Sequence, residues 1–382
     1  MNIVYVYADN AHEWNCSEWR CAVPARAINR TARHTAVLIS LVDFTQNTPA
    51  ARAACEPADV IVVQRNLVGP VLTAMQHWKA RGKTLVVDFD DAYDLMPPSN
   101  VNYRYWAQGL AARPDGVTEK IDPPPLTQFK WGLRLAHAAT VPSRRLADDW
   151  RAYADVYYLP NYIDLAKYEH FLPEPREGLV VGWGGSLSHL QSFTGSSVLA
   201  ALKRVCRARP QVKVMICGSD RRIFDQLPLP PEQKIHRPWA PYAEWPRRLA
   251  EFDIGLAPLH GAYDQRRSWI KVLEYMVLKI PWIASEGPAY HELRSYGWLV
   301  KNTPAAWERV LLDMVDHFPD YKAEAAREPY LFGISQGIDA NVDKVLAAYA
   351  AICERAGGEA QPAAAPGESA GRRPNALEGA YG

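Results

Sequence analysis

Arg267-Ser268-Trp269-Ile270-Lys271-Val272-Leu273-Glu274-Tyr275-Met276, leading into Ile280-Pro281-Trp282-Ile283-Ala284-Ser285, is the most informative run of the chain. The pattern predicts a helix that opens with cations, carries one carboxylate and runs into a short apolar strand. Arg267, Lys271 and Glu274 are separated by four, three and seven residues, so on a helix all three project from one face. Cations beside the free N–H groups of a helix N-terminus suit a dianionic diphosphate. A carboxylate two turns further along suits a ribose diol, from which it can accept hydrogen bonds. The combination reads as nucleotide-diphosphate recognition. Pro281 and the strand ending at Ala284-Ser285 favour that reading over a solvated charged helix face.

Outward from this block, short apolar strands alternate with helical segments, the mark of parallel α/β sheets. Strands are predicted at 3–7, 35–41, 60–64, 84–88, 139–142 and 156–159, with helices at 19–29, 69–81, 126–136 and 144–154. The pattern restarts with strands at 179–182, 213–217, 234–236, 254–257 and 282–284. Between the halves lie Pro160-Asn161-Tyr162-Ile163-Asp164 and the Pro- and charge-rich Leu172-Pro173-Glu174-Pro175-Arg176-Glu177-Gly178, a linker composition. The expected fold is α/β, with two doubly wound, Rossmann-like domains facing a cleft and ligands at the carboxyl ends of the strands. The expected units are an acceptor-side domain over 1–165, a donor domain over 176–335, a last helix within 336–356 and a tail over 357–382. Residues 339–354 place Val342, Val345, Leu346, Tyr349 and Ile352 at helical spacing. The tail has no periodicity and reads as disordered.

The Arg-Ser-x-x-Lys-x-x-Glu-Tyr run, followed by Pro and an apolar strand, resembles the donor-site helix of retaining family-4-type glycosyltransferases of the GT-B fold. Those enzymes commonly carry two glutamates eight positions apart. Glu274 matches the second, whereas the first falls on Arg266, as in a subgroup whose helix begins with a cation and Ser. Asp264 is the available substitute for that first glutamate. The resemblance implies a last helix crossing back to the first domain. It also implies transfer of a sugar from a nucleotide diphosphate to a hydroxyl with retention, and without a metal or other cofactor.

In this frame the other motifs take roles. Gly184-Gly185-Ser186, with His189, follows the first strand of the second half, where glycines let backbone approach a pyrophosphate; His189 reads equally as structural. Ser219, Arg237 and Trp239 end the next two strands, beside the nucleotide base, and Ser268 belongs to the donor helix. Asp88-Phe89-Asp90-Asp91 supports three readings: a metal-binding Asp-x-Asp, a phosphatase nucleophile loop using Asp88 and Asp90, or a cleft loop whose Asp90 or Asp91 faces the donor sugar. The third is preferred, because Ala92 stands where the phosphatase needs Thr. Arg267, Lys271, Asp90 and Asp91 are therefore the candidate catalytic residues. Asp9, Trp14, Arg20, Tyr103 and Tyr105 are the candidates on the acceptor side, where aromatic faces beside carboxylates suit a polyhydroxyl ring.

Composition narrows the alternatives. With 382 residues and 48% hydrophobic content the chain can bury two cores. A net charge of +1 carries no polyanion signature, so a sugar, glycan or glycolipid acceptor is preferred over phage DNA carrying a modified base. Six cysteines without a Cys-x-x-Cys pair read as reduced thiols of a cytoplasmic protein. No apolar stretch approaches the roughly 18 residues of a membrane span, so the expected location is cytoplasmic or peripheral, without stable insertion. An epimerase or phosphorylase on the same fold and a noncatalytic nucleotide-sugar-binding protein remain the rival readings.

Overall fold

Runs such as Val60-Ile61-Val62-Val63 and Leu85-Val86-Val87 are apolar without alternation, which suits strands buried on both faces. A computed structural model describes residues 1–9, 15–112, 116–168, 171, 177–218 and 220–359, and places these runs at the centres of two parallel sheets. The strands are β1 (Asn2–Tyr7), β2 (Thr35–Ser40), β3 (Val60–Gln64), β4 (Thr84–Asp88), β5 (Leu110–Ala112), β6 (Thr118–Lys120), β7 (Ala138–Val141), β8 (Val156–Tyr158), β9 (Leu179–Gly184), β10 (Val212–Cys217), β11 (Lys234–Arg237), β12 (Ile254–Ala257), β13 (Trp282–Ser285) and β14 (Trp298–Val300).

The first sheet runs β2-β1-β3-β4-β7-β8 and the second β11-β10-β9-β12-β13-β14; β5 and β6 form a separate antiparallel hairpin. Strand order reverses between β1 and β3 in one sheet and between β9 and β12 in the other. A crevice therefore opens past the carboxyl ends at each of these points. Both faces of each sheet are covered by apolar clusters, so four cores flank two sheets.

Three helices bear on the cleft and its frame: α1 (Val23–Arg30), α2 (Ile270–Val277) and α3 (Ile338–Glu359). Helix α3 returns to the first sheet, where Val342, Val345, Leu346, Tyr349 and Ile352 pack with Ile3, Tyr5 and Val62. The crossing is pinned by reciprocal backbone bonds, Ile163 N–H to the Gln336 carbonyl and Ile338 N–H to the Ile163 carbonyl. The hairpin and β14 are additional to the predicted strands. Both are built of three-residue pieces, too short to carry a periodic signal. All six cysteines are free thiols, and no helix among the described residues is long and apolar enough to cross a membrane.

Candidate functional site

The loops after β1, β4, β9 and β11 and the start of α2 line one cleft that is open to solvent. Lys271 stands in the first turn of α2, and its ammonium donates to the Gly184 carbonyl while lying 4.7 Å from the centre of the Trp183 ring. Burial pulls the Lys271 pKa down to about 8. Arg267 precedes the helix, which corrects the expectation that both cations and Glu274 share one helical face. Arg267 N–H bonds to the Asp264 carbonyl at 3.1 Å and its Nε donates to Asp264 Oδ1 at 2.9 Å, closing a turn that delays the helix until Ile270.

The glycines act through space rather than through an available N–H. The Gly185 amide is already donated to the Cys217 carbonyl at 3.0 Å, as an extension of the sheet. A Cβ on Gly185 would come within 2.8 Å of Trp183 and 3.1 Å of Lys271 Nζ; one on Gly184 would meet Trp245 at 2.6 Å. Only glycine therefore leaves room for the lysine and the indole beside it.

Glu274, 6% exposed, accepts at Oε1 from the Tyr168 hydroxyl (2.8 Å) and from Trp245 Nε1 (2.9 Å). Burial raises its pKa to about 7 against the pull of Lys271. The cleft beside it is walled by Trp239, Tyr242, Trp245 and, from the first sheet's side, Trp19, whose ring meets Tyr242 edge-on at 5.1 Å. Such aromatic surface suits a base and a ribose.

Asp91 faces these groups from the loop after β4. It accepts from the Tyr263 hydroxyl at 2.7 Å and lies 3.4 Å from Arg267 Nη1. Asp90 is gripped by Arg65 (3.2 Å) and the Tyr93 hydroxyl (2.6 Å). Burial would raise both carboxylates. Arg65 and these hydrogen bonds overcome it and hold Asp90 below the usual range, whereas burial lifts Asp91 to about 6 despite Arg267. Two adjacent carboxylates are thus pushed apart in acidity, as proton-transfer sites require.

Asp88 is committed elsewhere. Arg20 binds it through Nε (2.9 Å) and Nη2 (2.6 Å), and Thr140 donates to it at 2.6 Å. Neither oxygen is left for nucleophilic attack or a metal, which counts against the phosphatase reading. Arg20 borders the cleft, but it also donates to the Leu159 carbonyl and to Asn161 Oδ1, both at 2.8 Å. Asn161 in turn donates to Ser268 Oγ at 3.0 Å. Arg20 and Ser268 therefore belong to a frame joining the first sheet, the linker and the turn before α2.

Gly184, Gly185, Ser186, His189, Trp239, Arg267, Ser268, Lys271, Glu274, Arg20, Asp90 and Asp91 come together in the cleft. Four predicted residues lie elsewhere. Asp9 is buried behind the loop, accepting from Arg65 and from the Asn15 and Ser17 amides. Tyr103 and Tyr105 stand on the helix Tyr103–Gln108 and pack on the first core. Arg237 is turned to Glu251 at 2.9 Å. Trp14 and Ser219, the bulk of the proposed tail and residues 172–176 of the linker lie outside the described residues. The motif reading missed Trp19, Tyr168, Tyr242, Trp245 and Tyr263. The spacing of Trp239, Tyr242 and Trp245 by threes was the one signal for part of this aromatic wall.

No family model matches the chain, and no curated protein matches it in sequence. Solved structures match its fold over nearly its whole length. Sucrose-phosphate synthase from Thermosynechococcus elongatus is 11% identical with a TM-score of 0.59, covering 92% of this chain and 99% of that one. Anabaena HepE in complex with UDP-glucose is 13% identical with a TM-score of 0.59, covering 91% and 99%. The N-terminal domain of Candida albicans trehalose-6-phosphate phosphatase is 11% identical with a TM-score of 0.60, covering 92% and 96%. The fold is GT-B: two Rossmann-like units facing a cleft, with the last helix returning to the first.

Proposed function

We propose that this chain is a glycosyltransferase that moves a sugar from a nucleotide diphosphate to a hydroxyl acceptor, with retention and without a metal. The observation that carries the reading is the arrangement of Lys271 and Arg267 beside the glycine turn at Gly184-Gly185, opposite Asp91, in a cleft whose other end is aromatic and holds Glu274. Two cations at one wall neutralise the departing diphosphate, the role a metal plays elsewhere. The ribose lies against Glu274, whose Oε1 is already held by Tyr168 and Trp245, and the base against Trp239. Asp91 stands where positive charge develops at the anomeric carbon, and the acceptor, which retention brings in on the face of the departing diphosphate, passes its proton to that diphosphate. In this reading residues 1–165 supply the acceptor side and 176–335 the donor side. The acceptor is a sugar, glycan or glycolipid, and the work is done in the cytoplasm or at a membrane face. The UDP-glucose bound to HepE supports the donor class.

A noncatalytic nucleotide-sugar binder is the second reading. Arg266, at the position of the absent glutamate, turns to Asp149 at 2.7 Å and adds no carboxylate to the cleft. Incubation with a panel of nucleotide sugars and simple glycosides, with and without chelator, separates the two. Nucleoside diphosphate release with glycoside formation is expected for one donor; tight binding with no release from any donor would establish the second reading.

A further inference from the structure

Asp264 is 3% exposed, does not line the cleft, and has both oxygens occupied. Oδ1 accepts from Arg267 Nε at 2.9 Å. Oδ2 accepts from Ser192 Oγ at 2.6 Å and from the His260 amide at 2.9 Å. A serine hydroxyl has one proton. With that proton on Asp264, Ser192 Oγ meets His189 Nδ1, 3.2 Å away, as an acceptor only, so Nδ1 carries the ring hydrogen. Nε2 is then a lone pair. His189 borders the cleft, and no partner for Nε2 exists among the described residues. The ring stands edge-on to Trp183, with centroids 5.6 Å apart. Burial, with Arg267 and Lys271 nearby, holds the imidazole well below its usual pKa and hence neutral.

We propose that Asp264 is a positioning residue: through Ser192 it sets His189 as a hydrogen-bond acceptor for a hydroxyl of the transferred sugar, and through its other oxygen it aims Arg267 at the diphosphate. One buried carboxylate thereby fixes a phosphate cation and a hydroxyl acceptor relative to each other. Asp264 does not replace the absent glutamate by touching the sugar; it acts from behind, through a neutral histidine. The sugar contact rests on the nucleotide-sugar reading, whereas the tautomer does not.

The test uses the full chain with ¹⁵N-labelled histidine, the His189 signals being assigned with His189→Gln. Two-bond ¹⁵N–¹H correlations, recorded at neutral pH without nucleotide, are expected to show hydrogen on Nδ1 and none on Nε2. Ser192→Ala should shift the ring toward the other tautomer. An Nε2–H or doubly protonated ring in the parent, or an unchanged spectrum in Ser192→Ala, overturns the positioning role. Calorimetric titration then reads the sugar contact. Ser192→Ala should weaken UDP-glucose by roughly 3- to 10-fold, the worth of one hydrogen bond, and leave UDP unchanged. Asp264→Asn should weaken both. Equal effects of Ser192→Ala on the two ligands, or none on either, overturn the sugar contact. Where the parent binds another nucleotide sugar of the panel, the same comparison is made with that donor and its nucleoside diphosphate; a parent that binds none refutes the nucleotide-sugar reading and the sugar contact with it, while the tautomer spectrum still decides the Asp264–Ser192–His189 arrangement.

Discussion

Replacing Lys271 by Met should separate stability from function. Burial lowers the ammonium from its ordinary 10.5 to about 8. Because the folded pKa is depressed, the charged lysine opposes folding at neutral pH, by about 3 kcal/mol at 1.36 kcal/mol per unit. Met fills a similar volume without the charge. Its losses are the hydrogen bond to the Gly184 carbonyl, worth about 1 kcal/mol, and the contact of the ammonium with the Trp183 ring, worth about 0.5–1 kcal/mol. The variant should therefore unfold at equal or higher urea concentration, with a gain of up to about 1.5 kcal/mol. Nucleotide binding should move the other way. A charge-assisted contact to phosphate contributes about 1.5–3 kcal/mol, so affinity for the nucleoside diphosphate should fall roughly 10- to 150-fold. Urea unfolding followed by tryptophan fluorescence gives the first quantity and calorimetric titration the second. A variant that is clearly less stable yet binds nucleotide like the parent would make Lys271 a structural residue and remove it from the phosphate site.

Donor affinity should decline above about pH 8, because the diphosphate binds the protonated Lys271, whose unliganded pKa lies near 8; calorimetry from pH 7.5 to 9.5 checks this, and a flat profile contradicts it. Arg20→Ala should cost about 3–5 kcal/mol in urea unfolding, because Asp88 is left buried and without its cation; a loss under about 1 kcal/mol would show the pair to be dispensable. Turnover should survive EDTA, since the proposed mechanism gives neutralisation of the leaving diphosphate to Lys271 and Arg267; loss on chelation with recovery on Mn²⁺ or Mg²⁺ would hand the role to a metal. Glu274→Gln should keep the fold, since an amide oxygen still accepts from Tyr168 and Trp245, and weaken nucleotide binding roughly 3- to 10-fold; unchanged binding would remove Glu274 from the ribose site.

The two sheets and the returning helix were legible in the sequence because they rest on burial periodicity, which a linear pattern carries. Uninterrupted apolar runs marked β3 and β4, and the spacing of Val342, Val345, Tyr349 and Ile352 marked α3. The meeting of Lys271 and Glu274 at the cleft was legible for a similar reason, since both lie within one helix. What was hidden depends on partners far apart in the chain. Asp9 reads as a cleft residue after a first strand, but pairing with Arg65 commits it to the framework, and Arg20, which does border the cleft, is held there by Asp88. Tyr103 and Tyr105 carry an aromatic signal that fits a sugar platform and a core equally well, and the core claims them. The contact of Trp19 with Tyr242 joins segments more than two hundred positions apart, which no local spacing announces.

A crystal structure of the chain with the nucleotide sugar that the turnover panel selects would probe the donor site without intermediaries. The diphosphate is expected against Lys271, Arg267 and the Gly184-Gly185 turn, the ribose at Glu274, the base beside Trp239 and the sugar facing Asp91. A nucleotide bound outside this cleft, or one with its phosphates away from Lys271 and Arg267, would contradict the assignment.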